Sequence, residues 1–218
     1  MFGPIVERHS VRKYLDKKIP MDLRLILEDE IKEINIESGL HFQAVYDDPE
    51  PFSRNISHYG AFQCCKNYFV LCGKKGMDEE IGYYGERLVL RCQTVGLNTC
   101  WVAASYKKKS IKCNVEKDEI VYLIIAFGYG AEKGGPHLSK PANEVSNIEK
   151  NSPTWFKNGV LGTLYAPTAM NQQQYYLILT DDNTVIANAK NGPYSKVDLG
   201  IVKYHFEIAS GMSKYIWD

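Results

Sequence analysis

This chain of 218 residues lacks long apolar runs. The longest, residues 120–127, has eight residues, whereas a helix that spans a bilayer needs about 20. Its first residues show no basic stretch followed by a long apolar one, so the sequence predicts no signal peptide. We therefore expect a cytoplasmic protein that is not embedded in a membrane.

The chain also lacks an excess of either charge, because 26 lysines and arginines balance 26 aspartates and glutamates. Without surplus positive charge there is no sustained field to neutralise phosphates, which argues against a general nucleic-acid-binding protein. The hydrophobic share of 44% and the charged share of 24% are ordinary for globular proteins and exclude global disorder.

Closely spaced metal-binding cysteines are absent as well. The six cysteines contain no C-x-x-C pair, so they predict no zinc site. In a reducing compartment they are expected to be free thiols, and most of them buried. The spacing of the serine, histidine and aspartate residues also indicates no Ser–His–Asp triad, so the sequence does not support a hydrolase.

Apolar residues at helical spacing and short apolar runs alternate irregularly along the chain. Helices are predicted at 23–38, 82–95, 155–165 and 198–210, and strands at 41–46, 68–72, 99–103, 120–127, 175–180 and 184–187. Because strands and helices do not alternate regularly, an α+β fold is favoured over a doubly wound parallel sheet.

A weak internal repeat suggests two similar halves. Equally spaced glycines bracket the long helix and the last helix, namely Gly85 with Gly96 and Gly200 with Gly211. Each half also has an amphipathic helix, a loop and an aromatic strand in that order, and residues 131–152 have the composition of a linker. We therefore predict a first half at 1–145 and a shorter second half at 146–218.

Residues 8–12 carry two guanidiniums, an imidazole (His9) and a hydroxyl. Alternate residues of an extended segment share a face, so Arg8, Ser10 and Arg12 would point the same way. Arginine binds phosphate through paired, charged hydrogen bonds, and the segment is thus a candidate phosphate site. A solvated basic turn is the plainer alternative.

Residues 166–174 join a predicted helix to a predicted strand. Small residues and Pro167 let the backbone approach a flat molecule, and an amide such as that of Asn171 donates and accepts along one edge of a heterocycle. A polar loop is the alternative. Residues 96–101, where a helix stops and a strand begins, are structural when taken alone.

Together these segments resemble the FMN-dependent nitroreductase family. The family opens with Arg-x-Ser-x-Arg/Lys, here residues 8–12, and carries a Gly-Leu-Gly-Thr-Cys-Trp-like segment, here 96–101. It also carries Ala-Pro-Ser-x-x-Asn-x-Gln, here 166–173. A basic, proline-rich stretch at 136–141 is similar to the family's ending, where a cation meets the phosphate.

The order of the segments departs from the family, in which the Ala-Pro segment follows the first motif by a few dozen residues. Residues 36–42 occupy that place here and lack the motif. The resemblance and the repeat together imply a single-chain pseudo-dimer with one composite site. Such a chain would bind one FMN as a monomer, with further oligomerisation left open.

The resemblance implies an oxidoreductase that uses NADH or NADPH to reduce nitro compounds, quinones or similar small acceptors by two-electron transfer. No catalytic side chain and no metal is required, because the cofactor carries the difficult chemistry. A flavin-binding protein without turnover is the alternative from another class. The implied FMN-binding residues are Arg8, His9, Ser10, Arg12, Trp101, Val102, Ala103, Lys140, Pro167, Thr168 and Asn171.

Overall fold

The computed structural model describes residues 3–53, 61–213 and 216–218. The chain divides into two compact units. What we call the sheet unit comprises Arg8–Met77 and Arg87–Pro136. The helical unit comprises the residues up to Glu7, Asp78–Glu86 and His137–Asp218.

The elements agree in type with the pattern of apolar residues, and most bounds agree within a few residues. The helices are α1 (Gly3–Glu7), α2 (Met21–Ser38), α3 (Asp78–Thr94), α4 (Ala142–Val145), α5 (Thr154–Thr163) and α6 (Ser195–Ser210). The strands are β1 (His41–Val45), β2 (Asn67–Lys74), β3 (Asn98–Val102), β4 (Glu119–Gly128), β5 (Tyr175–Leu179) and β6 (Val185–Ala189).

The sheet unit is built on a four-stranded antiparallel sheet with the strand order β1-β2-β4-β3. Strand β2 is buried along its length up to Lys74, because it has a neighbouring strand on each side and cover on both faces. Its aromatic and β-branched residues suit such a position. The β2–β4 register shifts between Leu71 and Cys72, where an irregularity in the ladder re-aims the strand.

Helix α2 packs against β1 through the buried Leu27, Ile31 and Ile34, which recur at helical spacing. Gly39 ends the helix in the left-handed conformation with φ 71°, and its backbone N–H donates to the Asn35 carbonyl at 3.0 Å. The predicted end of this helix at residue 38 is therefore confirmed, and glycine suits the next position because it has no Cβ to clash.

Strand β1 lies at an edge of the sheet, where unpaired backbone groups invite association with other strands. The side chain of Asn35 satisfies both backbone groups of Phe42. Its Nδ2 donates to the Phe42 carbonyl at 3.0 Å, and its Oδ1 accepts the Phe42 N–H at 2.8 Å. One helix side chain thus replaces a strand partner at the second residue of β1.

The helical unit packs α6 against α5 and against the first half of α3 at positions where glycine allows close approach. A Cβ on Gly159 would meet the Phe206 ring, and one on Gly162 would meet Ala209. A Cβ on Gly200 would lie 2.6 Å from the Tyr83 backbone nitrogen. Strands β5 and β6 form an antiparallel hairpin in the same unit.

The segment 131–152, predicted to be linker-like, is more ordered than its composition suggested. It contains α4, and Ser146 forms a parallel bridge with Leu177 of β5. The Asn147 side chain exchanges hydrogen bonds with both backbone groups of Leu179, at 3.0 and 2.8 Å. Polar side chains here pair with a strand edge, which composition alone does not reveal.

Antiparallel sheets packed by helices confirm the predicted α+β class. The second sheet has two strands, whereas the first has four. Each compact unit is made of more than one stretch of the chain, so no single boundary in the sequence separates them. The division into halves at 145/146 and the pseudo-dimer stay predictions. Within the described ranges, no helix combines the length and apolar character needed to span a membrane.

The close approach at Gly200 predicts that Gly200→Ala destabilises the protein. The added methyl would meet the backbone of Glu79 and Tyr83, which cannot yield as a flexible side chain can. We expect a loss of at least about 1–3 kcal/mol in the free energy of unfolding, measured in urea. The matched control is Gly135→Ala, where a Cβ meets nothing within 4 Å, with a change within about 0.5 kcal/mol.

Candidate functional site

The basic segment at residues 8–12 is extended and pairs with the start of β3. Ser10 forms a parallel bridge with Thr99, and the Val11 N–H donates to the Thr99 carbonyl at 3.0 Å. Further along, Lys13 and Gln63 form a parallel bridge, and Tyr14 bridges Gly130. The sheet unit thus brings together two of the three segments that the sequence singled out, 8–12 and 96–101.

Residues of this segment act on the Cys100 thiol of β3. Burial raises the pKa of the Cys100 thiol, and the charge of Arg12, a hydrogen bond with Ser10 and the charge of Arg8 oppose that rise. Arg8 is buried and Arg12 half-buried. Cys100 lies in the same buried cluster as Val11, and the shared face of Arg8, Ser10 and Arg12 stays a prediction.

His9 lies on the other side of the same segment. Partial burial lowers the pKa of His9, and the neighbouring Arg8 charge lowers it further. Gly134, with φ 69°, packs on this backbone, and a Cβ there would lie 2.8 Å from the His9 Cβ and 3.0 Å from the Ser10 carbonyl oxygen. Glycine is needed at 134 for both its φ and this contact.

Residues 101–103 offer backbone more than side chains. The Val102 side chain belongs to the buried core of the sheet unit, whereas Trp101 is half-buried on the opposite face of β3. Ala103 follows the end of the strand.

The third segment, residues 166–173, lies in the helical unit and is strained. Met170, Asn171 and Gln173 have φ values of 53°, 54° and 48°, a region that non-glycine residues rarely adopt. Each such residue costs on the order of 1 kcal/mol or more, so surrounding bonds must hold the loop in place.

Residues 138–140 supply part of that restraint. The Lys140 Nζ donates to the carbonyls of Gln172 and Gln173, at 2.9 and 3.2 Å. The Gln173 Oε1 accepts the Lys140 N–H at 2.8 Å. Both Asn171 Nδ2 and Gln173 Nε2 donate to the Leu138 carbonyl at 2.9 Å. Lys140, which the resemblance places at the phosphate, therefore binds the loop that carries Asn171.

Asp198, in the first turn of α6, supplies the rest. Its carboxylate accepts the Ala169 N–H, at 2.9 and 3.1 Å, and the Gln172 Nε2–H at 3.0 Å. The residue is 2% exposed. Burial raises the pKa of Asp198 to about 6, while the bonds from Gln172 and Ala169 act in the opposite direction.

Sequence reasoning missed Asp198, because an aspartate in the first helical turn reads as an ordinary helix start. It also missed Gly134, whose role depends on a contact with residues far away in sequence. The eleven predicted residues fall into two sets: Arg8, His9, Ser10, Arg12, Trp101, Val102 and Ala103 in the sheet unit, and Lys140, Pro167, Thr168 and Asn171 in the helical unit. In the part of the chain that is described, no three His, Cys, Asp or Glu side chains cluster as a metal site would require.

The antiparallel sheet packed by helices is the fold of nitroreductase-type proteins. Residues 1–210 match the model of the family described as "Putative TM nitroreductase", and the chain belongs to that family. Membership supports an oxidoreductase enzyme. No curated protein matches the sequence.

Solved structures of nitroreductase type share the fold. One described as a nitroreductase from Thermotoga maritima has a TM-score of 0.66 at 23% identity, over 95% of this chain and 82% of that one. One from Bacteroides thetaiotaomicron, described as an NADH dehydrogenase/NAD(P)H nitroreductase, has a TM-score of 0.51 at 19% identity, over 70% and 97%. One from Desulfovibrio desulfuricans, in complex with FMN, has a TM-score of 0.52 at 16% identity, over 70% of this chain and 97% of that one.

The raised pKa of Asp198 predicts a pH-dependent difference between the protein and Asp198→Asn. Between about pH 4 and 6 the folded state binds a proton that the unfolded chain releases, so the carboxyl's contribution to stability is lost as pH rises. The amide does not ionise. We therefore expect the free energy of unfolding of the variant, relative to the parent, to rise by about 1–3 kcal/mol across this window.

Urea unfolding at several pH values measures this difference. Asp181→Asn, on the exposed turn between β5 and β6, is the matched control for the loss of one carboxylate. A difference for Asp198→Asn that stays constant across this pH window would contradict the prediction.

Proposed function

We propose that the protein is an FMN-dependent oxidoreductase that uses NADH or NADPH to reduce nitro compounds, quinones or similar small acceptors. The observation that carries the proposal is the pairing of the segment that holds Arg8, Ser10 and Arg12 with the start of β3. Family membership and the FMN bound to the Desulfovibrio protein support it.

The donor set at the start of β3 suits a phosphate monoester. Two guanidiniums provide forked, permanently charged donors, and a hydroxyl adds a second kind of donor. Arg8 and Arg12 would bind the phosphate, with Ser10 and His9 toward the ribityl chain. The backbone of Trp101, Val102 and Ala103 would lie along the ring, where the side chain of Val102 already faces the core.

The loop of the helical unit would supply the remaining contacts through Pro167, Thr168 and Asn171. Because Asn171 Nδ2 and Lys140 Nζ donate to backbone carbonyls, we assign these two residues to holding the loop in shape. Thr168 has the same effect, since its Oγ1 accepts the Gln173 N–H at 3.1 Å. The loop would then offer a rigid, preformed surface to the cofactor.

When bound, FMN supplies the two-electron chemistry. The residues of the chain bind and orient it, and the charges of Arg8 and Arg12 favour an anionic ligand at that end. We propose one FMN per chain, bound by the monomer.

The phosphate site predicts that Arg8→Ala and Arg12→Ala weaken FMN binding more than they destabilise the fold. Loss of a charged hydrogen bond costs about 1.5–3 kcal/mol, which raises the Kd roughly ten- to a hundred-fold. Fluorescence titration with FMN measures the Kd and the stoichiometry, and urea unfolding measures stability. Arg91→Ala is the control, because Arg91 pairs with Glu30 on α2 at 3.5 Å. Unchanged FMN affinity in both variants would contradict the proposed phosphate site.

The proposed activity predicts that NADH or NADPH bleaches the FMN-loaded protein under anaerobic conditions. The flavin absorbance should fall on addition of the nicotinamide and return when a nitroaromatic compound or a quinone is added. A yellow protein that neither nicotinamide bleaches would instead be a flavin-binding protein without turnover.

A further inference from the structure

Two cysteines of the sheet unit, far apart in sequence, lie side by side. Cys72 is in β2, and Cys113 is in the connection between β3 and β4. The Gln43 side chain lies against both places, because its Nε2 is 3.8 Å from the Cys72 sulfur and donates to the carbonyl of Asn114, the residue after Cys113. Cys113 packs against the same buried cluster to which Cys72 belongs.

The chain holds Cys113 from both sides. The Lys112 N–H donates to the Tyr68 hydroxyl at 3.1 Å. On the other side, Gln43 of β1 donates from Nε2 to the Asn114 carbonyl at 2.6 Å and accepts the Asn114 N–H on Oε1 at 2.8 Å. The same Nε2 lies 3.8 Å from the Cys72 sulfur. These tethers fix the two sulfurs relative to each other.

The two thiols differ in access to solvent. Cys72 is fully buried, whereas Cys113 is partly exposed. Burial raises the pKa of Cys113, and the hydrogen bond from Cys72 opposes the rise. Burial, together with the neighbouring Cys113 and Glu119, raises the pKa of Cys72 to about 12. An oxidant in solution therefore meets Cys113 first, and Cys72 is placed to react with the product.

We propose that Cys72 and Cys113 are a reversible redox pair, which closes to an intramolecular disulfide when a hydroperoxide oxidises Cys113. The Cys113 thiol loses its proton and the thiolate attacks a peroxide oxygen. The O–O bond breaks, Cys113 becomes a sulfenic acid, and the departing hydroxide takes up that proton to form water. The Cys72 sulfur then attacks the Cys113 sulfur, the S–O bond breaks, and the departing hydroxide takes the thiol proton to form a second water. Two thiols and one hydrogen peroxide give one disulfide and two waters, and a dithiol reductant reverses the change.

The sequence around the pair allows a direct chemical test. Trypsin releases Cys72 in the peptide 67–74 and Cys113 in the peptide 113–117, each with one cysteine. The experiment uses Cys64→Ser, which removes the exposed thiol that would otherwise react with peroxide. The protein is treated with hydrogen peroxide, alkylated while denatured, digested and mapped without reduction.

We expect the peptides 67–74 and 113–117 joined by a disulfide, and a fall in titratable thiols from five to three. Dithiothreitol should restore all five. In the same background, Cys113→Ser should abolish the cross-linked peptide, whereas Cys92→Ala, at a buried cysteine of α3, should keep it. Circular dichroism confirms that both variants are folded.

Three outcomes would overturn the proposal. The two peptides could remain reduced under conditions that oxidise other thiols, Cys113 could be joined to a different cysteine, or the product could be an oxidised Cys113 that dithiothreitol does not restore. Slower cross-linking in Gln43→Ala than in its parent would further tie the reaction to the observed tether, and an equal rate would show that the tether has no part in it.

Discussion

The pairing of β2 with β4 is the interaction on which the rest of the sheet unit depends. These central strands carry the edge strands β1 and β3 on their outer sides, and β3 in turn receives the segment 8–12. The Phe69 and Phe127 rings stack across the pair with centroids 3.9 Å apart, a contact worth about 0.5–1.5 kcal/mol beyond its buried area. A slip of one residue in this register would send the side chains of β4 to the opposite faces of the sheet relative to those of β2.

The helical unit depends on a different balance, between backbone strain and buried polar bonds. Three left-handed residues in the loop oppose its formation, and the bonds from Lys140 and Asp198 favour it. Asp198 is itself costly to bury as an anion, although its position in the first turn of α6 lowers that cost through the helix dipole. A loop maintained against such costs is the kind of feature that function, more than stability, explains.

The elements that the sequence predicted well are those whose signal is local. The apolar run at 120–127 becomes β4, and the stripe from Leu27 to Ile34 with Gly39 at its end becomes α2. Strong periodicity and a glycine stop depend on neighbouring residues alone, so tertiary structure did not override them.

What the sequence did not predict depends on contacts between distant residues. Asn147 pairs with a strand edge 32 residues away, and Asp198 holds a loop through Ala169, 29 residues away. Cys113 and Cys72 are likewise far apart in sequence. The resemblance to a family supplied the grouping of 8–12 with 96–101, which spacing alone left as two unrelated segments. Family patterns carry such long-range information because they record whole folds, whereas periodicity records one element at a time.

The two faces of the four-stranded sheet are covered in different ways, and this difference bears on the thiol pair. On one face α2 contributes an apolar stripe. On the other, irregular segments are tied down by polar groups of the sheet, such as the Tyr68 hydroxyl, which donates to Asp48 at 2.7 Å and accepts the Lys112 N–H. Cover held by a few hydrogen bonds opens locally at a lower cost than a packed helix does. A few hydrogen bonds hold the connection that carries Cys113 near Cys72, and local opening gives it access to solvent, which is what a thiol pair needs in order to react reversibly while one partner stays buried.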